Sequence, residues 1–207
     1  MDKFERSKFL IILISPSGGG KSSIAKLILK RNKDIAYSIS YTTRKPRGEE
    51  KHGHDYFFVS EAKFKDLIKK EEFLEYALVH GNWYGTSISH INKKLAQEKH
   101  IVLDLDVYGA KQIMSNEIDS ITIFILPPTK KELRKRLIKR GTDSEAVIKK
   151  RLKNSEKEIK EIENFQYLII NNNLEKAVKK VEEIIRAEEN KVKRYNNIKK
   201  VYLEENC

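Results

Sequence analysis

The stretch FLIILISPSGGGKSS, from Phe9 to Ser23, decides the fold of this chain. Its first part is an uninterrupted run of apolar residues, rich in Ile and Leu and too short to cross a membrane. Such a run predicts a strand that is buried on both faces. A glycine-rich turn follows, and then a segment that is compatible with a helix. A strand, a glycine-rich turn and a helix in this order are typical of a loop that binds phosphate.

The turn matches most of the phosphate-loop pattern G-x-x-x-x-G-K-[ST], although Ser15 replaces the first glycine. In such a loop the backbone N–H groups and the positive end of the helix bind phosphate oxygens, the lysine faces the outer phosphates, and the hydroxyl can ligate Mg²⁺. An ordinary glycine-rich turn is the alternative, and the order of elements favours phosphate binding. The predicted contacts of the bound phosphate groups are Ser15, Pro16, Ser17, Gly18, Gly19, Gly20, Lys21, Ser22 and Ser23.

Length and composition set wider limits. A chain of 207 residues suits one α/β core with a small inserted lobe. The formal net charge of +12 predicts an anionic partner, and composition alone does not choose among nucleotide phosphates, nucleic acid and a membrane surface. The single cysteine, Cys207, excludes an intrachain disulfide and a cysteine metal cluster, which suits a reducing compartment. Because the N-terminal apolar run continues into the phosphate loop, we expect a soluble, cytoplasmic protein.

Further apolar runs alternate with helix-compatible segments along the chain. The runs at 100–106, 121–126 and 167–170 predict more strands of a mostly parallel sheet, covered by helices on both faces, with ligands at the carboxyl ends of the strands. Residues 38–90 instead predict a small β-rich lobe. We therefore expect an α/β fold in one domain, with a core at 1–37, 91–135 and 160–190, the lobe at 38–90, a helical lid at 136–159 and a tail at 191–207.

The segment from Thr129 to Lys160 is rich in Lys and Arg. Thr129 begins it with Glu132 three residues later, which is the spacing of a capping box at the start of a helix. A polar interruption at 140–143 divides the segment. The pattern predicts two basic helical arms around a mobile hinge.

Two more features point to bound ligands, one to a metal ion and one to a second phosphate group. Asp104 ends an apolar strand, where its carboxylate can reach an Mg²⁺ ion held with Ser22, and a helix-capping aspartate is the alternative. Arg44 and Arg47 lie three residues apart on a turn that contains Pro46, and they make a fork suited to a second phosphate group. A solvated basic turn is the alternative for this pair.

Four segments together resemble the guanylate kinase family, the ATP:GMP phosphotransferases, and the similarity extends from about Phe9 to Ile185. In that family the inserted lobe binds GMP, so the resemblance implies a clamp on its phosphate and a set of groups that read guanine. The segments are SYTTRKPRGEEKHGHDYFFVS, EEFLEYALVHGNWYGTS, IVLDLDVYGAKQI and IFILPPTKKELRKRLIKRGTDSEAVIKKRL. The implied phosphate clamp is Arg44, Arg47, Tyr56 and Tyr84; Ser40 and Thr86 correspond to hydroxyls near guanine O6, and Glu75 and Asp106 to acceptors for guanine N1–H and N2–H₂.

The chemistry of the two purines agrees with those groups. Guanine offers an acceptor at O6 and a donor amine at N2, whereas adenine offers a donor at its exocyclic amine and has no group at C2. Carboxylates that face N1 and N2 therefore pair with guanine and leave adenine unsatisfied. Without the resemblance, Glu75 would be interpreted as an exposed strand residue.

The resemblance also implies the donor side. Arg136, Arg140 and Arg151 correspond to lid arginines that close over the ATP phosphates and act in catalysis with Lys21 and Arg44. Asn171 lies where the family's adenine-contacting loop begins, although the sequence NNNLEKA departs from the acidic version usual there. Mg²⁺, bound with ATP, would have Ser22 and Asp104 as ligands.

The implied reaction is the transfer of the γ-phosphoryl group of Mg-ATP to GMP or dGMP. Three alternatives are a non-catalytic interaction module of the same fold, a nucleic-acid binder that uses the basic surface, and a kinase for another nucleoside monophosphate. The intact loop opposes the first, the absence of aromatic residues interleaved with basic ones opposes the second, and the Glu75 and Asp106 pair opposes the third. We expect neither nucleic acid nor membrane as a partner, and monomer and homodimer are both open.

Overall fold

The computed structural model describes residues 4–79, 81–97, 99–116, 118–139, 141 and 144–204. Strands and helices alternate through most of this length. In chain order the elements are β1 (Leu10–Ile14), α1 (Lys21–Arg31), β2 (Ile35–Tyr37), β3 (Tyr41–Thr42), β4 (Phe57–Phe58), α2 (Glu61–Lys69), β5 (Phe73–Val79), β6 (Asn82–Ser87), α3 (Ile88–Leu95), β7 (His100–Leu105), α4 (Val107–Met114), β8 (Ser120–Leu126), α5 (Lys130–Lys139), α6 (Glu145–Ile159), β9 (Tyr167–Ile170), α7 (Leu174–Glu189) and α8 (Ile198–Glu204), with 3-10 turns at Ile162–Asn164 and Val192–Arg194.

The main sheet has five strands in the order β2-β7-β1-β8-β9, and every neighbouring pair is parallel. The central strand β1 is buried along its whole length, which explains its continuous apolar sequence. Its last residue, Ile14, pairs with Leu105 on one side and with Phe124 on the other. The loops that follow these three strands therefore begin at one edge of the sheet. The predicted α/β fold with a parallel core is confirmed.

Helices cover both faces of this sheet. Because side chains alternate along a strand, Ile11 and Leu13 point to the face covered by α1 and α7, whereas Leu10 and Ile12 point to the face covered by α3 and α4. Each face carries its own cluster of fully buried Ile, Leu, Val and Phe side chains. The phosphate-loop helix α1 is thus fixed on the sheet through Ile24 and Ile28.

A second sheet holds four strands in the order β4-β3-β6-β5. Strands β2 and β3 are close in sequence but belong to different sheets, β2 to the main sheet and β3 to the small one. Aromatic side chains fill the space between this sheet and α2. Phe64 stacks on Phe73 at 4.5 Å between ring centroids and on Trp83 at 5.9 Å. The lobe sheet is thereby packed as a unit of its own.

Helices α5 and α6 pack against each other through Leu133, Leu137 and Ile148. The Thr129 hydroxyl accepts a hydrogen bond from the Glu132 N–H at 3.0 Å, as the capping spacing predicts. Arg140, Thr142 and Asp143 lie outside the described residues, and the mobile hinge stays a prediction.

The segment after α7 is anchored to the main sheet by a buried arginine. Arg194 is 1% exposed; it pairs with Glu188 at 3.2 Å and with Asp119, and its guanidinium carbon lies 3.9 Å from the centroid of the Phe9 ring. This cluster lies at the amino ends of β1 and β8, opposite the edge where the phosphate loop begins. Within the described ranges, no helix has the length and apolar content needed to span a membrane.

Candidate active site

The phosphate loop joins β1 to α1 through two glycines in the left-handed region. Gly18 has φ +95° and Gly20 has φ +103°, a region that side-chain-bearing residues adopt at a cost. The Gly19 N–H donates to the Pro16 carbonyl at 2.8 Å and closes the turn. Gly20 is the N-cap of α1 and has no side chain to cap it, so the first N–H groups of the helix can serve a bound anion.

Ser15, the departure from the pattern, fits the loop without backbone strain. In the described part of the chain the only non-glycine residue with positive φ is Glu71, so position 15 does not require glycine. The Ser15 side chain is buried against Gly19, where an added Cβ would lie 2.8 Å from the Ser15 Cβ. The steric demand for glycine therefore falls on position 19.

Lys21, Ser22 and Asp104 meet at the carboxyl edge of the sheet. The Lys21 ammonium lies 2.8 Å from Asp104 Oδ1, and the Ser22 hydroxyl donates to Asp104 Oδ2 at 2.9 Å. Lys21 also donates to the Leu105 backbone carbonyl. The two predicted metal ligands, which are far apart in sequence, are thus in contact. A hydroxyl and one carboxylate beside a phosphate loop are hard oxygen donors of the kind that Mg²⁺ uses together with nucleotide phosphates, so these residues fit the ion.

Asn171 lies under the phosphate loop. Its side chain is buried, and its amide Nδ2 donates to the Gly19 carbonyl at 2.9 Å. An added Cβ on Gly20 would lie 2.2 Å from the same nitrogen, so any other residue at position 20 would have to displace the Asn171 amide. The sequence pattern gave no signal for this supporting role. The contact with adenine that the resemblance implies for Asn171 stays a prediction.

The lid helices reach the loop through arginines. Arg136 Nη2 donates to the Asn171 carbonyl at 2.8 Å, and its Nη1 donates to the Gly19 carbonyl at 3.4 Å. From α6, Arg151 Nη1 donates to the Ser17 hydroxyl at 3.2 Å. Two of the three predicted lid arginines therefore lie at the phosphate loop, and Arg140 lies outside the described residues.

A cavity of about 170 Å³ opens beside this cluster, between the main sheet and the lobe sheet. It brings together five of the residues that the resemblance assigns to GMP, two from strands β5 and β6 and three from loops, and it also includes Asp104. Its lining is Tyr37, Ser40, Tyr56, Glu75, Ala77, Val79, Tyr84, Asp104, Leu105 and Asp106.

Arg44 is held rigidly near this cavity. It is 8% exposed, its guanidinium lies over the Tyr56 ring at 5.2 Å, and its Nη2 lies 2.9 Å from Glu50 Oε1. The other carboxylate oxygen of Glu50 accepts from the Arg47 N–H at 2.8 Å. The hydrogen bond from Arg44 is the main cause that holds the pKa of Glu50 below its usual value. Glu50, which the sequence analysis missed, thus orders the basic turn; its spacing of three residues from Arg47 was the available signal.

Glu75 is the most perturbed carboxyl of the cavity. It is 5% exposed, and it accepts a hydrogen bond from the Thr86 hydroxyl at 2.6 Å. Burial raises its pKa to about 7, and the nearby charge of Asp106 adds to the effect. The first turn of α4 packs on this group so closely that a Cβ on Gly109 would lie 2.8 Å from Glu75 Oε2. Thr86, fully buried, stands behind Glu75 and not on the cavity wall.

Asp106 has a structural bond as well as a place in the cavity. Its Oδ1 accepts from the Gly109 N–H at 2.8 Å and caps α4. Lid helix α6 contributes a further acidic group, Glu158, that the sequence analysis did not identify. Burial raises the pKa of Glu158 to about 7, the charge of Lys21 opposes that rise, and the charge of Asp106 adds to it. The carboxyl edge of the sheet therefore holds several ionisable groups in one electrostatic environment.

Comparisons with known proteins agree with this arrangement. The family model described as guanylate kinase matches residues 7–188. The guanylate kinase of Clostridioides difficile is 43% identical over 94% of this chain and 95% of its own length, and that of Nitrosomonas europaea is 45% identical over 86% and 89%. The crystal structure of guanylate kinase from Anaplasma phagocytophilum superimposes with a TM-score of 0.79 at 31% identity, covering 96% of this chain and 95% of that one.

Proposed function

This chain belongs to the guanylate kinase family, and we propose that it transfers the γ-phosphoryl group of ATP to GMP or dGMP with the residues described above. One observation supports the proposal most strongly: Asp104 contacts the phosphate loop, which is the donor half of the site, and also lines the cavity that is the acceptor half. Its carboxylate bonds Lys21 and Ser22 of the phosphate loop, and it also lines the cavity of the acceptor residues. Two anions bound in these halves would lie next to each other.

The donor half would bind ATP mainly through backbone groups. The N–H groups of the loop and of the first turn of α1 would hold phosphate oxygens, while Lys21 exchanges its bond to Asp104 for the outer phosphates. Ser22 and Asp104 would hold Mg²⁺, which when bound neutralises phosphate charge. Arg136, Arg140 and Arg151 would add positive charge from the lid.

The acceptor half would read both ends of GMP. Arg44, Arg47, Tyr56 and Tyr84 supply donors for its phosphate. Glu75 and Asp106 supply acceptors for guanine N1–H and N2–H₂, and Ser40 and Thr86 supply hydroxyls on the O6 side. Because these guanine groups are donors, the ionised form of Glu75 is the one that binds the base, and a bound guanine favours that form.

Charge on the acceptor removes the need for a general base. A phosphate monoester has a second pKa near 6, so at neutral pH the GMP phosphate is already an anionic nucleophile. Catalysis is then the positioning of two anions that repel each other and the neutralisation of charge on the transferred group. Closure of the lobe and the lid would keep water from taking the place of GMP.

Several finer points belong to the same proposal. We propose the division into a core, a lobe at 38–90, a lid at 136–159 and a tail at 191–207. We also propose a cytoplasmic location, because ATP and GMP are cytoplasmic metabolites, and small-molecule partners only, with a homodimer as one of two open oligomeric states.

A coupled assay of ADP release tests the proposal. The purified protein is given Mg-ATP with GMP, dGMP, AMP, CMP or dTMP in turn. We expect turnover with GMP and dGMP that is far faster than with the other three. Equal rates with AMP would contradict the assignment of Glu75 and Asp106 to guanine, and no turnover with any acceptor, in a folded protein that binds GMP, would favour a non-catalytic module.

A further inference from the structure

Tyr37 lies at the carboxyl edge of the main sheet, although no sequence pattern selects it. It is the last residue of β2, and it pairs with Val102 of β7. Side chains two residues apart on a strand share a face, so Tyr37 lies on the same face of the sheet as Val102 and Asp104. Position and face together place its phenol ring beside the Asp104 carboxylate.

The Tyr37 side chain lines the acceptor cavity with Tyr56 and Tyr84. It is partly buried, and its hydroxyl makes no hydrogen bond with any residue that the structure describes. Asp104, the nearest charged partner, already accepts from Lys21 on one oxygen and from Ser22 on the other. A partly buried phenol that faces a cavity without a protein partner is a donor left for a ligand.

We propose that the Tyr37 hydroxyl is a further donor to the phosphate of the acceptor nucleotide, beside Tyr56 and Tyr84. The inference rests on the proposed function, because it takes GMP as the occupant of the cavity. The phosphate end is favoured over the base end because Tyr37 shares a sheet face with Asp104 and lines the cavity with Tyr56 and Tyr84, which belong to the phosphate side. Glu75 and Asp106, the proposed guanine acceptors, form the other part of the lining.

The surroundings of Tyr37 keep its hydroxyl protonated, so that it can donate a hydrogen bond. Burial raises the pKa of Tyr37 far above its ordinary value, and the negative charge of Asp104 raises it further. The phenol is therefore neutral at any working pH. A neutral donor can approach a phosphate dianion next to Asp104 without adding a second negative charge to the site.

The test removes only the hydroxyl, with Tyr37→Phe, and compares the binding of GMP and guanosine by calorimetry. These ligands differ by the phosphate alone. We expect the Kd for GMP to rise about 10-fold, the typical loss for one hydrogen bond to a charged group. We expect the Kd for guanosine and the KM for ATP to change less than about 2-fold, and the KM for GMP to rise with the Kd.

Tyr41→Phe is the matched control, because Tyr41 stacks on Phe57 at 4.7 Å in the lobe and does not line the cavity. It should leave both affinities unchanged. An unchanged Kd for GMP in Tyr37→Phe, or an equal loss for GMP and guanosine, would overturn the inference while wild-type turnover still supports the proposed function. Failure of the wild-type protein to bind GMP at all would instead overturn the proposed function and the inference with it.

Discussion

The two halves of the site are built on different principles. The phosphate-loop half comes mostly from one continuous segment, and the contacts that we propose for its ligand are backbone N–H groups in a turn shaped by Gly18 and Gly20. The lobe half comes from side chains that are scattered over the chain between residues 37 and 106. The first arrangement suits a group that every nucleoside triphosphate carries. The second suits the recognition of one particular base and its phosphate.

The halves also differ electrostatically. In the loop half the charged side chains are already paired, since Lys21 and Asp104 neutralise each other. In the lobe half the Glu75 carboxyl is buried with only a neutral hydroxyl as donor, and its pKa is raised to about 7. Burial of this acid without a cation costs stability, which a guanine that donates two hydrogen bonds can offset. We propose that the buried Glu75 carboxyl selects guanine through those hydrogen bonds.

The largest expected effect is in the loop half. Lys21→Met should lower kcat/KM by at least about 10²–10³-fold, because it removes the cation nearest to the transferred phosphoryl group. Lys26→Met is the control, since Lys26 lies on the exposed face of the same helix. Steady-state kinetics measures both, with thermal unfolding to establish that each variant is folded. Near-normal turnover in Lys21→Met would remove this residue from the mechanism.

Gly20→Ala tests whether the loop half depends on backbone shape. The alanine would have to adopt φ +103°, and its Cβ would lie 2.2 Å from Asn171 Nδ2. We expect strain of about 2 kcal/mol in the loop conformation that binds phosphate, which corresponds to a rise of about 30-fold in the KM for ATP. Gly81→Ala is the matched control, because Gly81 also has positive φ, at +79°, but has no atom within 4 Å of the new Cβ. If both variants lose ATP affinity equally, the contact with Asn171 has no special role.

Glu75→Gln tests the lobe half and should lower the preference for GMP over AMP by about 10-fold, because an amide presents one acceptor where the carboxylate presents two. The KM for ATP should change little. Kinetics with both acceptors measures the ratio. An unchanged preference would show that Glu75 does not read the base.

The same variant makes a prediction about pH. The folded-state pKa of about 7 lies above the ordinary value of 4.5, so the unfolded chain loses this proton first as the pH rises. The contribution of Glu75 to stability is therefore fully present below about pH 4.5 and is lost as the pH rises toward 7, by an amount on the order of 3 kcal/mol. Glu75→Gln should accordingly gain stability relative to wild type between pH 5 and pH 8 in urea unfolding. A difference that does not change with pH would contradict the raised pKa.

The difference between the halves also explains how far the sequence could predict them. The loop half has a local signature, since strand, glycines, Lys21 and Ser22 are consecutive, and Asp104 follows from the rule that strand ends meet at one edge. The supporting role of Asn171 was not predictable, because it depends on which strand ends beside the loop. Tyr37 was missed for a related reason. Its neighbours come from β7 and the lobe, and no spacing in the sequence records that contact.

Apart from the fork of Arg44 and Arg47, the lobe half was predicted only through resemblance to a family. Glu75 is a single carboxylate in an otherwise apolar strand, which by itself indicates an exposed residue, yet it is 5% exposed because α4 packs over it. The pairing of Arg44 with Glu50 was missed although the two are close in sequence. Side chains that are assembled by tertiary packing carry no pattern of their own, whereas a backbone turn does.

One measurement tests the separation of the two halves most directly. Calorimetry gives the Kd of GMP and of a non-hydrolysable ATP analogue for wild type, Lys21→Met and Glu75→Gln. We predict that Lys21→Met weakens the binding of the ATP analogue and leaves the Kd of GMP within about 2-fold, while Glu75→Gln does the reverse. If either variant weakens the binding of GMP and of the ATP analogue equally, the two nucleotides do not occupy the two halves assigned to them.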